Sequence, residues 1–200
     1  MPPLSYHRPG SESIQRVDRM PKPREVLLET KRFRVVREER TSPSGKTHLS
    51  ETIEHPGAVT ILPLLEGDRV CLIQNYRPSV DRTLIELPAG TLETGEDPAH
   101  TAVRELREET GYQAESMRLL AEFFMSPGIL SERMYLYAAT GLVLGERELD
   151  AGEEIERLEV PWSEALAMVR RGTIEDVKTL FGLLFYDDMR REQSESGRGR

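Results

Sequence analysis

The stretch that most limits how this chain can fold is residues 90–112, GTLETGEDPAHTAVRELREETGY, a loop followed by a helix whose two ends are both written in the sequence. Asp97 before Pro98 reads as an N-cap with proline in the first turn, and Gly111 as the C-terminal stop, so a helix is expected over 98–110. At about 100° per residue, Ala99, Ala102, Val103, Leu106 and Thr110 share one stripe, which is expected to face the core. Counted from Ala99, Glu108, Glu105 and Glu109 fall near 180°, 240° and 280°, so three carboxylates share an arc of about 100°. Like charges that close repel unless solvent screens them or a hard cation sits among their oxygens. A solvated acidic face, with Arg104 paired to Glu108 at i,i+4, accounts for the same pattern.

The complete spacing favours a cation among the carboxylates. Gly90, five residues, Glu96, seven residues, then Arg104-Glu105-Leu106-Arg107-Glu108-Glu109-Thr110-Gly111-Tyr112 resembles the Nudix box, GX5EX7REUXEEXGU. Every fixed position matches, and Tyr112 stands in the last aliphatic slot. The resemblance implies Glu105, Glu109 and the backbone carbonyl of Ala89 as metal ligands, Glu108 as an assistant, and Arg104 as the residue that orients the carboxylates. It assigns Glu96 to supporting the loop. Mg²⁺ is the implied ion, with Mn²⁺ as a substitute.

Composition narrows the class. With 200 residues the chain is expected to be one domain with a small extension. A formal net charge of −8 argues against a general nucleic-acid binder, because phosphate backbones attract basic surfaces. Cys71, the single cysteine, lies in the apolar run VCLIQ and is expected to be a buried strand residue in a reducing compartment. No apolar run approaches the roughly 18 residues that span a bilayer, so no membrane partner is expected and the cytoplasm is the expected location.

Along the chain, residues 1–24 are proline-bearing without an apolar period and are expected to form a mobile arm. VLLET, KRFRVVREER and THLSETIEH, within 25–55, read as strands of an N-terminal β-hairpin extension, the last two joined at Ser42-Pro43-Ser44-Gly45. AVTILPLLEG and RVCLIQNYRP read as a buried hairpin around Glu66-Gly67-Asp68. Arg77 leaves the second strand before Pro78, where its fork suits either a phosphate or a surface ion pair. Residues 114–125 offer one or two strands, Ser126-Pro127-Gly128 a turn, and ERMYLYAATGLV a further strand. Ser163–Arg171 is an amphipathic helix burying Ala165, Leu166, Met168 and Val169, with Trp162 beside it in the core. A last helix over 176–191 is expected to bury Val177, Leu180, Phe181, Leu184 and Phe185, followed by a disordered tail from Glu192.

These elements predict an α/β (α+β) sandwich, a mixed β-sheet between helices, with the Nudix domain over 56–191. Within the Nudix family the layout is similar to the ADP-ribose pyrophosphatases. That likeness implies an N-terminal extension exchanged in a homodimer and a substrate loop comprising Pro127, Gly128, Ser131 and Glu132, with Arg77 holding the second phosphate. It also implies a loop carboxylate that ligates metal or acts as base; in Asp150-Ala151-Gly152-Glu153-Glu154-Ile155-Glu156 this is assigned to Glu153. The implied reaction is metal-dependent hydrolysis of a nucleotide sugar such as ADP-ribose. GDP-mannose, an oxidised nucleotide, or a catalytically silent ADP-ribose sensor are the competing readings.

Overall fold

The computed structural model describes residues 24–93, 95–149 and 154–198. They form two compact units. The first holds residues 24–55 together with Ser126–Ser131, and the second holds Pro56–Met125 and residues 132–198.

In the first unit, β1 (Arg24–Glu29), β2 (Arg34–Thr41) and β3 (Thr47–Glu54) make an antiparallel sheet in the order β1-β2-β3. Ser42 donates its N–H to the Lys46 carbonyl at 2.8 Å, and Gly45 supplies the positive φ of 84° that closes the turn expected at 42–45. The end of β3 is extended by the distant 126–131 loop. Ile53 donates to Ile129 O at 2.8 Å, Ser131 N donates back to Ile53 O at 2.9 Å, and Ser131 Oγ accepts from His55 N at 3.1 Å. The loop expected to hold substrate is therefore hydrogen-bonded into the N-terminal sheet. Val36 is buried, whereas Val26, Leu27 and Leu28 on the edge strand β1, and Leu49 on β3, stay exposed.

The second unit is the expected mixed sheet between helices. Strands β4 (Ala58–Leu65), β5 (Arg69–Arg77), β6 (Arg82–Glu86), β7 (Ala89–Thr91), β8 (Tyr112–Phe124), β9 (Arg133–Leu144) and β10 (Ile155–Pro161) pair in the order β10-β5-β4-β9-β8, with β6 on β5 and β7 on β4. The β4–β5 hairpin turns at Gly67 and Asp68, both at positive φ, but its strands pair only at Leu64↔Val70 and Leu65↔Arg69. They then part. β4 takes β7 antiparallel and β9 in parallel over Ala58↔Met134 to Pro63↔Ala139, while β5 takes β6 and β10. Cys71 lies wholly buried on β5, where burial pushes its thiol up to about 12.

Two apolar layers cover this sheet. On one side Leu62, Leu72, Leu87 and Leu136 meet α2 (Trp162–Arg170) and α3 (Val177–Arg198), with Trp162, Ala165, Leu166, Met168 and Leu183. On the other, Val59, Ile61, Cys71 and Tyr137 meet α1 (Pro98–Thr110) through Ala102 and Leu106.

Three expectations need correction. Val103 is 52% exposed, while Thr101 and Glu109 are buried, so α1 is rotated relative to the apolar stripe. In α3, Val177 and Leu184 are exposed, and Lys178, Thr179, Gly182 and Leu183 face inward. In both helices polar side chains take places on the buried side because specific partners receive them, Ala89 N for Glu109, Glu86 for Lys178 and Leu87 N for Thr179. The tail does not part from the fold at Glu192. α3 runs to Arg198, because extending a formed helix through 192–198 adds one hydrogen bond per residue without a new nucleus. The arm over 1–24 lies outside the described residues apart from Arg24, which begins β1.

Candidate active site

The carboxylate helix starts and ends where its sequence specifies. Asp97 Oδ1 accepts from Ala99 N at 2.7 Å, Pro98 occupies the first turn, and Gly111, at φ 78°, donates to Arg107 O at 2.8 Å. These caps fix where the helix begins and ends. Glu105 and Glu109 turn toward the short strand β7.

There the backbone of residues 89 and 90 receives both. Glu109, only 3% exposed, accepts the Ala89 N–H through Oε2 at 2.8 Å. Glu105 presses its carboxyl group onto Gly90 so closely that a Cβ at residue 90 would fall 1.9 Å from its Cδ. Gly90 is needed here for space and not for a left-handed backbone, and β7 itself is held by pairing Val59↔Gly90 and Thr60↔Ala89.

Arg104 binds the rest of the cluster. Its Nη1 donates to Glu105 Oε1 at 2.8 Å and Glu108 Oε2 at 3.0 Å, and its Nη2 to Glu96 Oε2 at 3.2 Å. Burial alone would lower the Arg104 pKa, but the bond to Glu96, the charge of Glu105 and the bonds to Glu108 and Glu105 outweigh it and raise the value. Glu96 in turn accepts from Glu93 N at 3.1 Å, so it ties the loop to the helix. The Glu108–Arg104 pair at i,i+4 is therefore one contact of a three-carboxylate arrangement around Arg104 and not an isolated surface pair.

Of the two contacts expected for Arg77, the ion pair is the one formed, but its partner is a buried carboxylate and not a surface one. Its Nε and Nη2 grip Glu86 Oε1 and Oε2 at 2.7 and 2.6 Å, and Glu86 is 1% exposed. These bonds raise the Arg77 pKa against the opposing effect of burial, and the charges of Glu86, Glu109 and Asp176 add to the rise. Burial would raise the Glu86 pKa, but Arg77 and Lys178 hold it below the usual carboxylate range. Glu86, Lys178 and Asp176 were missed by sequence reasoning. A glutamate in TLIE and a lysine at the start of a helix carry no local signal of this pairing, because the partners are 92 residues apart.

Of the remaining candidates, Pro127, Gly128 and Ser131 are exposed and belong to the first unit, whereas Glu132 belongs to the second. Glu153 lies outside the described residues.

Among the described residues, no group of three or more His, Cys, Asp or Glu side chains already forms a cation-sized cluster. The residues present nevertheless suit a hard divalent ion. The donors are all oxygens, and the bare Gly90 lets Glu105 reach the same short segment that Glu109 grips.

A family model, the NUDIX domain, matches residues 54–180. This chain belongs to the Nudix family. Two relatives are each 39% identical to it over 145 residues, covering 72% of this chain and 78% of the relative: the ADP-ribose pyrophosphatase of Bacillus subtilis (strain 168) and the methanol dehydrogenase activator of Bacillus methanolicus. The crystal structure of an ADP compounds hydrolase superposes with a TM-score of 0.74 at 22% identity, covering 86% of this chain and 93% of the other. That likeness establishes the Nudix fold. No helix among the described residues is long and apolar enough to cross a membrane.

Proposed function

We propose that this Nudix protein hydrolyses the diphosphate bridge of a nucleoside diphosphate sugar, with ADP-ribose cleaved to AMP and ribose 5-phosphate as the favoured reaction. The observation that carries the proposal is the meeting of Glu105 and Glu109 at Ala89-Gly90, a dense anionic site fixed by Arg104. The choice of ADP-ribose rests on the Bacillus subtilis relative.

In this reading Glu105, Glu109 and the Ala89 carbonyl hold a divalent ion, Mg²⁺ or in its place Mn²⁺, with Glu153 as a further ligand. Such an ion, when bound, neutralises charge on the diphosphate oxygens and lowers the pKa of the attacking water. Arg104 keeps Glu105 and Glu108 from turning away. Arg77 meets the second phosphate, and Pro127, Gly128, Ser131 and Glu132 enclose the nucleoside end. Water adds to one phosphorus as the bridging P–O bond breaks, and its proton passes to a carboxylate. Glu153 is the first candidate acceptor and Glu108 the second. Glu153→Gln should then slow turnover more than Glu154→Gln, and equal small effects would move the role to Glu108.

We also propose that the protein is a homodimer joined through the first unit, whose edge strand β1 exposes Val26, Leu27 and Leu28 in succession. The deciding experiment for the activity is a hydrolysis panel of ADP-ribose, GDP-mannose, NADH and 8-oxo-dGTP, with Mg²⁺, with Mn²⁺ and with chelator. Cation-dependent release of AMP from ADP-ribose supports the reading. Preference for GDP-mannose moves the substrate within the same chemistry, and binding without turnover makes the protein a sensor.

A further inference from the structure

A line of four charged side chains of alternating sign runs through the second unit, from the start of α3 to the neighbourhood of the carboxylate helix. Asp176 Oδ1 meets Lys178 Nζ at 2.9 Å, Lys178 Nζ meets Glu86 Oε2, and Glu86 holds Arg77 through both oxygens. Asp176 also caps α3, its Oδ2 accepting from Thr179 N at 3.0 Å and Thr179 Oγ1 at 2.5 Å. Thr179 Oγ1 accepts from Leu87 N at 2.8 Å. Consecutive residues of α3 thus grip consecutive residues just ahead of Pro88-Ala89-Gly90.

Stability does not account for this arrangement. Lys178 is 7% exposed and Glu86 1%, and ions withdrawn so far from water lose hydration that their attraction repays poorly, so well-packed apolar replacements are often at least as stable. What the pair does supply is direction. Glu86 Oε2 is shared between Lys178 Nζ and Arg77 Nη2, which prevents the carboxylate from rotating, and a fixed carboxylate fixes the plane of the guanidinium bound to it.

We propose that Lys178, anchored by Asp176, is a positioning residue: it locks the Glu86 carboxylate so that the Arg77 guanidinium is held in one plane with Nη1 left outside the fork, ready for a phosphate oxygen. The consequence for turnover rests on the functional reading given above, in which Arg77 meets the second phosphate. The geometric claim does not.

The test is Lys178→Met, which keeps length and burial but removes the ammonium, read in two ways. The first readout is the Arg77 Nε–Hε resonance, assigned by its loss in Arg77→Lys. It should shift and broaden in Lys178→Met while circular dichroism stays native. The second is kinetics on whichever diphosphate substrate the wild type cleaves. KM should rise about tenfold in Lys178→Met, and in an Arg77→Lys background the same change should add less than twofold, because both act through one guanidinium. Should Lys178→Met fail to fold, Asp176→Asn decides, since asparagine still caps α3 but no longer anchors the lysine by charge. An Arg77 resonance identical to wild type in the folded variant, or a full additive loss in the Arg77→Lys background, overturns the proposal. If the wild type cleaves no diphosphate at all, the functional reading fails and the resonance alone still judges the bracket.

Discussion

The carboxyl group of Glu105 lies where a side chain on residue 90 would begin, since a Cβ on Gly90 would come within 1.9 Å of the Glu105 Cδ and Oε1. Nothing else in the described backbone demands a glycine at this point, because its φ is not in the left-handed region. Gly90→Ala should therefore fold with little loss of stability but displace the Glu105 carboxylate and the Arg104 contact with it. A misplacement of about 1 Å at a catalytic group can cost on the order of 10²-fold in rate, and a loss of that size is expected. Wild-type turnover in Gly90→Ala would show that Glu105 does not work from this position.

Glu109 separates charge from hydrogen bonding. It is buried and accepts the Ala89 N–H, so Glu109→Ala leaves a buried donor without its acceptor, at a cost of about 1–3 kcal/mol. Glu109→Gln retains an acceptor oxygen and should be more stable than Glu109→Ala. Both variants should lose most turnover, having lost the anionic oxygen. Urea denaturation and turnover measured side by side check this, and an active Glu109→Gln would remove Glu109 from the metal site.

The rotation of α1 is tested by an apolar pair. Leu106 is 1% exposed and packs with Val59, Ile61 and Ala102, so Leu106→Ala should cost about 2–5 kcal/mol through the cavity it opens. Val103→Ala, at a half-exposed position, should change stability by less than about 0.5 kcal/mol. Comparable losses at both positions would mean that the helix sits in a different phase.

Acid stability should depend on Glu96. The hydrogen bond from Arg104 holds its carboxyl below the usual range; burial opposes this, and the Glu93 N–H assists. A folded pKa below the unfolded value of about 4.3 stabilises the protein above that pH, and the contribution is lost as pH falls through the folded pKa. Between pH 7 and pH 3 the urea midpoint of the wild type should drop further than that of Glu96→Gln. Parallel curves would rule out this contribution.

Assembly provides the last test. A chain beginning at Glu54 lacks β1, β2 and nearly all of β3, and with them the exposed Val26, Leu27, Leu28 and Leu49. Light scattering should find a dimer for the full chain and a monomer for the shortened one, with weakened ADP-ribose binding. A monomeric full chain, or a shortened chain that still dimerises and binds normally, is the contrary result.

How much of this was readable in the sequence depends on the distance over which each contact is made. The bounds of α1 were legible because Asp97, Pro98 and Gly111 act within one turn of the residues they cap. Its rotation was not, because Glu109 is buried through its bond to Ala89, twenty residues away in sequence, and a helical wheel contains no such partner. The same applies to α3. Lys178 and Thr179 face inward because Glu86 and Leu87, each 92 residues earlier, receive them, and no local period reports such a partner. The box spacing identified Glu105, Glu108, Glu109 and Arg104 as a group, but the bracket behind Arg77 has no comparable signature.

The early parting of β4 from β5 has a consequence for how the chain is made. Ahead of Leu64, over Ala58–Pro63, β4 pairs not with its hairpin partner but with β7 and β9, whose parallel register runs to Ala139. During synthesis residues 98–110 have therefore emerged while β4, the strand that pairs with Ala89-Gly90, still lacks its parallel neighbour β9. Closing the sheet waits for a contact some 75 residues apart along the chain, a separation that makes parallel pairing slow. Until Arg133–Leu144 has emerged from the ribosome, the apolar side of β4 has no lasting cover, and that interval is when the nascent protein is most exposed to aggregation.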